Sequence, residues 1–581
     1  MRISLFILFL LSVLPACGQS GAISSIETKA DTTINLATYQ PKDPASYPKN
    51  YFRNPLNIPI MLAGNFGECR LGHFHSGLDI KTNGVENLPV FAAAAGYISR
   101  IKTSSGGFGH ALYVTHPNGY TTLYAHLNDF APAVQQFLRQ EQYKQQRWDV
   151  DLSLNENQFP VRKGQQIAWS GNTGGSTAPH LHFEIRDTKT EHPLNPLLFG
   201  LEIKDNIAPK PLRLFFYDLS PGKTIYNQQP LVKGLTNAGN RYFLKDTIIL
   251  PGPGHFGVGV EVNDFMDGSQ NTLNFYTASW WLDGAPVGAI RLDDIGYDVT
   301  RYMHAYVDYG QMITQKRYAQ LLFRQPGNLL QHVYEQLEDD GAFELKDGAP
   351  HELRILLADA LGNESEVVAW VKKTATAAAN ASCEQLFTAG KSNNFQHPNV
   401  QFQLSKDALY DDVCFTFSQS PKANAFSEQF SLLRPTVPVH SYFPLSLKPN
   451  KAVPFALRQK MVLRYSDGKK TSGQAARFEE GWYTARVRDF GDFWLEADTT
   501  APTITPVAGR KGRVTFRITD SQTSIARAEA TLNGKWVVLE QHGPLWFYEI
   551  DGNAATGKNT LLIRATDESG NEKSLKQVFV K

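Results

Sequence analysis

Two features that define other classes of protein are missing from this sequence. Its 57 Lys and Arg residues balance 56 Asp and Glu residues, which leaves a formal net charge of +1, and it has no block of basic residues. Nucleic-acid-binding proteins usually carry a basic stripe or arm, so we predict no nucleic-acid partner. No segment after the N-terminus approaches 18 consecutive apolar residues. We therefore expect no transmembrane helix in the mature chain.

Cysteine is scarce, with four residues in 581. Cys383 and Cys414 could form a disulfide, although spacing alone cannot establish the geometry that a disulfide needs. Cys69 lies six residues before His75, which raises the alternative of a Cys/His zinc site. We prefer a buried free cysteine, because thiolate-rich coordination is typical of closed structural zinc sites.

The N-terminus has the pattern of an export signal. Arg2 precedes an apolar run from Ile3 to Leu14, and the segment ends in Leu14-Pro15-Ala16-Cys17. A run this short is typical of a signal peptide rather than a membrane span. The last four residues resemble a bacterial lipobox, in which Cys17 would carry a lipid anchor. Cleavage without lipidation is the alternative.

Several candidate metal ligands occur in short motifs. In a β-strand, residues two apart point to the same face, so His180 and His182 would present both imidazoles to one side. Upstream, His75 and Asp79 add an imidazole and a carboxylate, and His126 adds one more imidazole. A polar stripe on a solvated sheet face is the alternative interpretation. Because no His-Glu-x-x-His signature is present, a metal site must be assembled from separate strands.

The order of these motifs resembles the lysostaphin/LytM-type zinc metallopeptidases, which cut peptide cross-links in bacterial peptidoglycan. The resemblance runs from about Tyr51 to Gly200. It includes three glycine-rich phrases, Gly106-Gly107-Phe108-Gly109, Lys163-Gly164-Gln165 and Ser170-Gly171-Asn172-Thr173-Gly174. The resemblance implies a Zn²⁺ ion bound by His75, Asp79 and His182. It also implies that His126 and His180 are catalytic histidines beside a metal-activated water.

The resemblance further implies a zinc endopeptidase that acts on peptidoglycan stem peptides in the cell envelope. We expect an exported, periplasmic protein, anchored to the outer membrane as a lipoprotein. Two alternatives remain: a catalytically silent scaffold or activator of other cell-wall hydrolases, and an envelope binding protein. Glu184 would share a face with His182 if the strand continues regularly, and we expect it to orient that ligand through a hydrogen bond.

A chain of this length exceeds what a single core usually serves, and its short β-type runs between turn residues predict a mainly β protein. The predicted divisions are a signal peptide with lipobox (1–17), a linker (18–50), an antiparallel β LytM-type peptidase domain (51–200), an immunoglobulin-like domain with an insertion (201–373), a small β-domain of unknown role (374–497) and a C-terminal immunoglobulin-like domain (498–581).

An internal repeat supports the two immunoglobulin-like β-sandwich modules. Asp205-Asn206-Ile207-Ala208-Pro209 matches Asp498-Thr499-Thr500-Ala501-Pro502, and the later phrase Asp359-Ala360-Leu361-Gly362-Asn363 resembles Asp567-Glu568-Ser569-Gly570-Asn571. We can assign no protein partner to these modules from the sequence. The pair Trp280-Trp281 could stack on a sugar or fill a core.

Two segments have helical composition. Val134–Trp148 lies in an insertion, residues 131–160, after His126. This insertion could form a lid or a wall of a substrate groove, because a long connection inside a compact domain is often functional. A solvated surface helix is the alternative. The first sandwich is longer than the second, and we predict that part of the excess is helical, around Tyr309–Leu337.

Overall fold

The computed structural model describes residues 41–374 and 383–581. The predicted export signal, the lipobox at Cys17 and residues 18–40 of the predicted linker lie outside the described residues. Within the described residues the chain is mainly β, which confirms the predicted fold class. No helix in the described ranges has the length and apolar character needed to cross a bilayer.

The first sheet is antiparallel throughout and has eleven strands. They are Leu62–Gly64, Leu78–Lys81, Pro89–Phe91, Gly96–Lys102, His110–Thr115, Tyr120–Phe130, Asp151–Ser153, Pro160–Val161, Gln166–Ser170, His180–Asp187 and Pro193–Leu194. On His180–Asp187 the apolar residues Leu181, Phe183 and Ile185 are completely buried in the core. Alternation therefore places the intervening polar residues on the opposite face of the sheet.

A short hairpin, Cys69–Arg70 with His73–Phe74, leaves this sheet and enters the core of the next domain. Cys69 and Phe74, together with Phe66, belong to the hydrophobic core of the first sandwich. Cys69 is free and buried, as we preferred from the sequence.

The first sandwich is formed by a five-stranded and an eight-stranded sheet. The smaller sheet contains Lys210–Asp218, Leu231–Gly234, His255–Asn263, Gln320–Leu321 and Phe343–Glu344. The larger sheet contains Thr236–Ala238, Arg241–Phe243, Ile248–Pro251, Thr277–Leu282, Ala285–Arg291, Tyr334–Leu337, His351–Ala358 and Glu364–Thr374. Trp280 is fully buried between them and donates its indole N–H to the Gly341 carbonyl at 3.3 Å. It therefore fills the core and is not a sugar-stacking surface.

Helix is scarce in the described residues. The three α-helices are α1 (Pro132–Gln145), α2 (Met303–Tyr306) and α3 (Tyr309–Gln315), and short 3-10 turns occur at Pro44–Ser46, Pro196–Phe199, Thr300–Tyr302, Asp339–Gly341 and Phe455–Lys460. The prediction of helix around Tyr309–Leu337 is correct only as far as Gln315. Lys316 adopts a left-handed conformation (φ 58°), which ends the helix, and two strands follow.

The third region contains two five-stranded sheets and a two-stranded ladder. The first sheet has Asn393–His397, Val400–Leu404, Pro438–Leu447, Arg477–Glu479 and Trp482–Asp489, the second has Phe417–Ser420, Gln429–Leu432, Met461–Ser466, Thr471–Ala475 and Gly491–Ala497, and the ladder joins Leu386–Phe387 to Val413–Cys414. Cys383 and Cys414 form a disulfide, with their Cα atoms 5.6 Å apart.

The strand Lys210–Asp218 of the first sandwich is buried on both faces. Leu214 and Phe216 pack into the core of the sandwich, whereas Phe215 and Tyr217 pack into the core of the third region. A strand covered on both faces needs a continuous apolar run, and Leu214 to Tyr217 is such a run. The first sandwich therefore shares hydrophobic cores with the domains on either side of it.

The C-terminal sandwich has two four-stranded sheets. One contains Thr503–Val507, Arg513–Thr519, Glu540–His542 and Leu545–Glu549, and the other contains Ile525–Leu532, Lys535–Val537, Lys558–Asp567 and Glu572–Val580. Its hydrophobic cluster lies within residues 504–579. This module therefore has a core of its own.

Helix α1 is covered on one side by the C-terminal sandwich. Arg139 forms an ion pair with the buried Glu540 and lies 3.3 Å from a Glu549 carboxylate oxygen, and the Tyr143 hydroxyl donates to Asp551 at 2.6 Å. The interpretation of α1 as a freely solvated surface helix is therefore wrong. Gln146 is left-handed (φ 48°) and ends the helix before the predicted end at Trp148.

We expect Arg139→Met to loosen the C-terminal sandwich from α1. The substitution leaves Glu540 buried without its cation, at a cost of about 2 kcal/mol, below the usual range for a buried pair because the Arg139 side chain is partly exposed. Hydrogen exchange in 132–145 and 540–549 would rise. The matched control is Arg147→Met, whose pair with Asp149 is exposed on both sides and contributes about 0.5 kcal/mol or less. Equal exchange in the two variants would contradict the role of Arg139.

Candidate metal centre

Strand pairing brings two of the predicted ligands side by side. His180–Asp187 lies between Leu78–Lys81 and Tyr120–Phe130, and all three are antiparallel. His182 is the register partner of Asp79 on one side and of Ala125 on the other. Directly opposed residues in a sheet have neighbouring side chains on the same face. The predicted ligands Asp79 and His182 therefore meet next to the predicted catalytic His126.

Three donor atoms of the predicted ligand set converge at one point. His75 Nε2 lies 3.0 Å from Asp79 Oδ1 and 3.0 Å from His182 Nδ1, and His182 Nδ1 lies 2.9 Å from Asp79 Oδ1. All three residues are buried, with exposed fractions of 2 to 4%. Two imidazoles and a carboxylate form a donor set that catalytic metal sites use.

Each of the three residues is held from behind by a second contact. His75 Nδ1 donates to the Asn65 carbonyl (2.7 Å), and His182 Nε2 donates to Glu184 Oε1 (2.8 Å). Arg70 donates to the outer oxygen of Asp79, Oδ2, at 2.5 Å. These contacts leave His75 Nε2, His182 Nδ1 and Asp79 Oδ1 as the inward-facing atoms. Hydrogen bonds of this kind fix the tautomer and orientation of metal ligands.

The charges of the cluster also fit a cation. Burial lowers the pKa of His75 to about 4, so this imidazole is neutral near pH 7. Burial would lower the pKa of His182 as well, but Asp79 and Glu184 raise it to about 9. In the absence of an ion, His182 thus adds a positive charge between the two carboxylates, which also pair with Arg70 and Arg186. A metal cation bound at the inward-facing atoms would take over that role.

His126 and His180 lie beside the same point. Their ring centroids lie 4.7 Å apart, and the His126 ring lies 5.9 Å from that of His182. His126 Nδ1 donates to the Thr173 carbonyl (2.8 Å) and His180 Nδ1 donates to the Ala178 carbonyl (2.8 Å), which leaves both Nε2 atoms without a proton in the neutral rings. His180 Nε2 is buried, lies 3.3 Å from Asp79 Oδ1 and has no hydrogen-bond partner among the described residues.

The backbone at His126 departs from regular strand geometry. Its φ is +57°, a left-handed value that is uncommon for residues other than glycine. Its backbone N–H donates to the Phe108 carbonyl at 2.9 Å, outside the regular ladder. Strained backbone of this kind is often found at functional sites, where it directs a side chain. Burial, with the nearby His182 and His180, lowers the pKa of His126 to about 3.

Residues of the first sandwich complete the outer layer of the centre. Glu184 is fully buried and accepts hydrogen bonds from the Ser76 hydroxyl (2.6 Å) and the Tyr297 hydroxyl (2.8 Å). Asn65, which holds His75, forms two hydrogen bonds with the backbone of Asn274, at 2.7 and 2.9 Å. The expected hydrogen bond between Glu184 and His182 is present. Nothing in the sequence indicates that Tyr297 and Asn274 support the centre, because each lies over 100 residues away from its partner.

Two protein-family models match this chain, and one of them covers the candidate metal centre. A model of peptidase family M23 matches residues 73–143 and 150–196, which include all five predicted site residues, and a model of the Zu5-like domain matches residues 384–498. The strands and candidate donor atoms therefore lie in the segment that matches a metallopeptidase family.

Individual relatives match the same part of the chain. The DD-carboxypeptidase/endopeptidase Mpg of Neisseria meningitidis is 35% identical over 127 residues, which are 22% of this chain and 23% of that protein. Lipoprotein NlpD of Yersinia enterocolitica is 30% identical over 115 residues, 20% of this chain and 94% of the relative. Murein hydrolase activator NlpD of Salmonella typhimurium is 26% identical over 186 residues, 32% and 41% of the two chains.

Among solved structures, the catalytic domain of lysostaphin from Staphylococcus simulans is 26% identical and covers 23% of this chain and 88% of its own, with a TM-score of 0.18. The chain spans about a quarter of the length of Mpg, the first of these relatives. Through the segment around its metal centre, the chain belongs to peptidase family M23.

We expect Glu184→Gln to weaken metal binding by about 10- to 100-fold, because it removes the charge that holds the His182 Nε2 proton. The matched control is Glu191→Gln, which removes a carboxylate that contacts the same Arg186 but is half exposed. Affinity would be measured by Zn²⁺ titration in competition with a chromophoric chelator, after circular dichroism has shown that both variants fold. Equal affinity in the two variants would contradict the orienting role of Glu184.

Proposed function

We propose that this protein is a zinc-dependent endopeptidase that hydrolyses peptide cross-links of bacterial peptidoglycan. The observation that carries the proposal is the convergence of five side chains: three inward-facing donor atoms within about 3 Å of one another, and two imidazoles beside them. In this proposal His75, Asp79 and His182 hold Zn²⁺. When bound, Zn²⁺ supplies a Lewis acid and lowers the pKa of a water molecule toward neutrality.

His126 and His180 are proposed to carry protons at their Nε2 atoms. Because each Nδ1–H is donated to a backbone carbonyl, Nε2 is the ring nitrogen that is free to accept a proton in each neutral imidazole. The depressed pKa of His126 keeps that ring neutral at physiological pH. A neutral Nε2 can accept the proton of an attacking water, and the resulting imidazolium can donate to the developing oxyanion or to the leaving amine. The two histidines can share these steps.

Peptidoglycan as the substrate is supported by the names of the relatives, which describe a carboxypeptidase/endopeptidase and a murein hydrolase activator. A cell-envelope location follows from the same proposal. It agrees with the export-type N-terminus and with a lipid anchor at Cys17, which the intact mass of the mature protein would test. A mass that fits an unlipidated mature chain would remove the anchor.

A catalytically silent scaffold or activator is the second candidate function. It is supported by the activator name of one relative and by the contact between the C-terminal sandwich and α1, next to the strand that carries His126. The first candidate accounts better for the buried, fully supported donor set, since a scaffold needs neither a metal nor two imidazoles beside it.

Digestion of purified, cross-linked peptidoglycan by the zinc-loaded chain tests the proposal. We expect new peptide ends, identified by mass spectrometry, and a loss of about 10²- to 10⁴-fold in rate for His126→Ala with the metal content unchanged. His182→Ala would lose both metal and activity. His397→Ala, which replaces a histidine in the third region, is the matched control and should cleave like the wild type.

The outcome also separates the two candidates. A wild-type chain that binds zinc, releases no new peptide ends and accelerates another wall hydrolase would be an activator. Removing residues 132–145 together with 498–581 would then show whether the docked sandwich inhibits the centre, because cleavage by the shortened chain would restore the enzyme proposal.

A further inference from the structure

Three aspartates, two of them buried and one partly exposed, meet at one end of the first sandwich, away from the metal centre. Asp205 precedes the strand Lys210–Asp218, Asp264 follows His255–Asn263, and Asp359 follows the strand that ends at Ala358. One carboxylate oxygen of each lies within 4.8 Å of the other two. Asp264 is 2% exposed and Asp359 is 6% exposed, so the cluster is not a solvated acidic surface.

Hydrogen bonds reach all three carboxylates but leave one oxygen of the third, Asp264, unpaired. Asp359 accepts from the backbone and side-chain nitrogens of Asn363 at 2.9 and 2.7 Å, and Asp205 accepts from the Ile207 N–H at 2.9 Å. Asp264 Oδ1 is buried and has no hydrogen-bond partner within the described ranges. A buried, unpaired carboxylate oxygen is costly, and it calls for a partner such as an ordered water or a cation.

No protein cation fills that role. Within residues 41–374 and 383–581, no Lys or Arg forms an ion pair with any of the three aspartates. Burial and then the charges of Asp359 and Asp205 raise the pKa of Asp264 to about 8. Burial, with Asp359 and Asp267, raises the pKa of Asp205 to about 6. No direct ion pair therefore compensates the repulsion between these carboxylates, and the nearby charge of Lys210 offsets only part of it at Asp264.

The same arrangement recurs in the C-terminal sandwich. Asp498, Asp520 and Asp567 each offer a carboxylate oxygen within 4.8 Å of the others, and Asp498 and Asp567 are 0% and 2% exposed. Asp567 accepts from the backbone and side-chain nitrogens of Asn571, both at 2.8 Å. Asp520 Oδ2 is buried and lacks a hydrogen-bond partner in the described part of the chain.

The two clusters occupy equivalent places in the two sandwiches. In each, one aspartate precedes the first strand, the second follows the strand that pairs with it, and the third begins the turn before the last strand. The sequence repeat contains the first and third aspartates. Asp264 and Asp520 lie outside it, in the phrases Val262-Asn263-Asp264 and Ile518-Thr519-Asp520.

We propose that each sandwich binds one hard divalent cation, Ca²⁺, through its three aspartates: Asp205, Asp264 and Asp359 in the first, and Asp498, Asp520 and Asp567 in the second. Every donor is a carboxylate oxygen, without imidazole or thiolate. Such a set favours Ca²⁺ over Zn²⁺, which the histidine-rich centre takes. Backbone carbonyls and water can complete the coordination of Ca²⁺, which accepts six to eight oxygen ligands.

Each of the two proposed sites lies at a boundary between two domains. Asp205 follows the end of the peptidase sheet, whose core includes Leu201, and Asp498 directly follows the last strand of the third region, Gly491–Ala497. A cation at either site ties the entering chain to the turn before the last strand. It thereby fixes the direction in which the sandwich leaves its neighbour.

The first site is also connected to the metal centre. Asp264 and Leu273 exchange backbone hydrogen bonds (2.8 and 3.1 Å) at the base of a loop whose Met266 is buried in the peptidase core. The residue after Leu273 is Asn274, which holds Asn65, and the Asn65 carbonyl accepts from His75 Nδ1. A cation at Asp264 therefore stiffens the loop that supports one of the candidate zinc ligands.

Calorimetric titration of the full mature chain with CaCl₂ tests the proposal, with the histidine centre first loaded with zinc so that Ca²⁺ does not compete there. We expect two bound Ca²⁺ ions in the wild type, one in Asp264→Asn and one in Asp520→Asn. The control Asp246→Asn changes an exposed aspartate of the first sandwich and should keep both ions. Absence of binding up to about millimolar Ca²⁺, or two ions in Asp264→Asn, would overturn the proposal.

Thermal unfolding distinguishes a cation site from a purely structural aspartate. Without Ca²⁺, Asp264→Asn should unfold at the same temperature as the wild type or higher, because the substitution removes repulsion. With about millimolar Ca²⁺ it should unfold at a lower temperature than the wild type, because only the wild type gains binding energy at that site. A variant that is less stable than the wild type in both buffers would show that Asp264 is structural and would refute the first site.

Discussion

The register between the strands Leu78–Lys81 and His180–Asp187 is the constraint on which the centre depends. It sets Asp79 opposite His182, and a slip of one residue would turn His182 to the opposite face of the sheet. The core prevents such a slip, because Leu181 and Phe183 are fully buried on the other face and a shift would replace them with histidine and glutamate. Hydrophobic burial on one face thus maintains a polar cluster on the other, and the position of the donor atoms follows from packing rather than from any bound ion.

The first sandwich is part of the support of this centre and not a separate spacer. Asn274 holds Asn65 behind His75, and Tyr297 holds Glu184 behind His182, so each of the two candidate histidine ligands is supported through one intermediate residue. The hairpin that carries Arg70 inserts its apolar neighbours into the core of the sandwich. Because these contacts are buried, loss of the sandwich would expose polar groups and remove hydrophobic packing at the same time. The peptidase sheet and the sandwich are therefore expected to fold and unfold together.

Local sequence patterns predict the parts of this protein that depend on local geometry. The two-residue period of a strand predicts that His180 and His182 share a face and that their apolar neighbours are buried. Turn chemistry explains the repeated phrases that contain Asp205 and Asp498. Helix ends were predicted less well, because a left-handed residue such as Gln146 is not specified by composition. Contacts between distant segments could not be predicted from one sequence. Arg139 and Glu540 are 401 positions apart, and neither residue type indicates its partner.

The two sandwiches share a carboxylate arrangement, yet they are attached to their surroundings in different ways. The first shares apolar cores with both neighbours, whereas the hydrophobic cluster of the second is confined to that module. The second sandwich meets the peptidase domain through ion pairs and polar or aromatic side chains, including Arg510 with Glu86 at 3.3 Å. Polar interfaces of this kind separate at lower cost than shared cores. Glu86 also accepts from Asn128, two residues after His126, so separation of the C-terminal sandwich would change the contacts of the strand that positions this histidine.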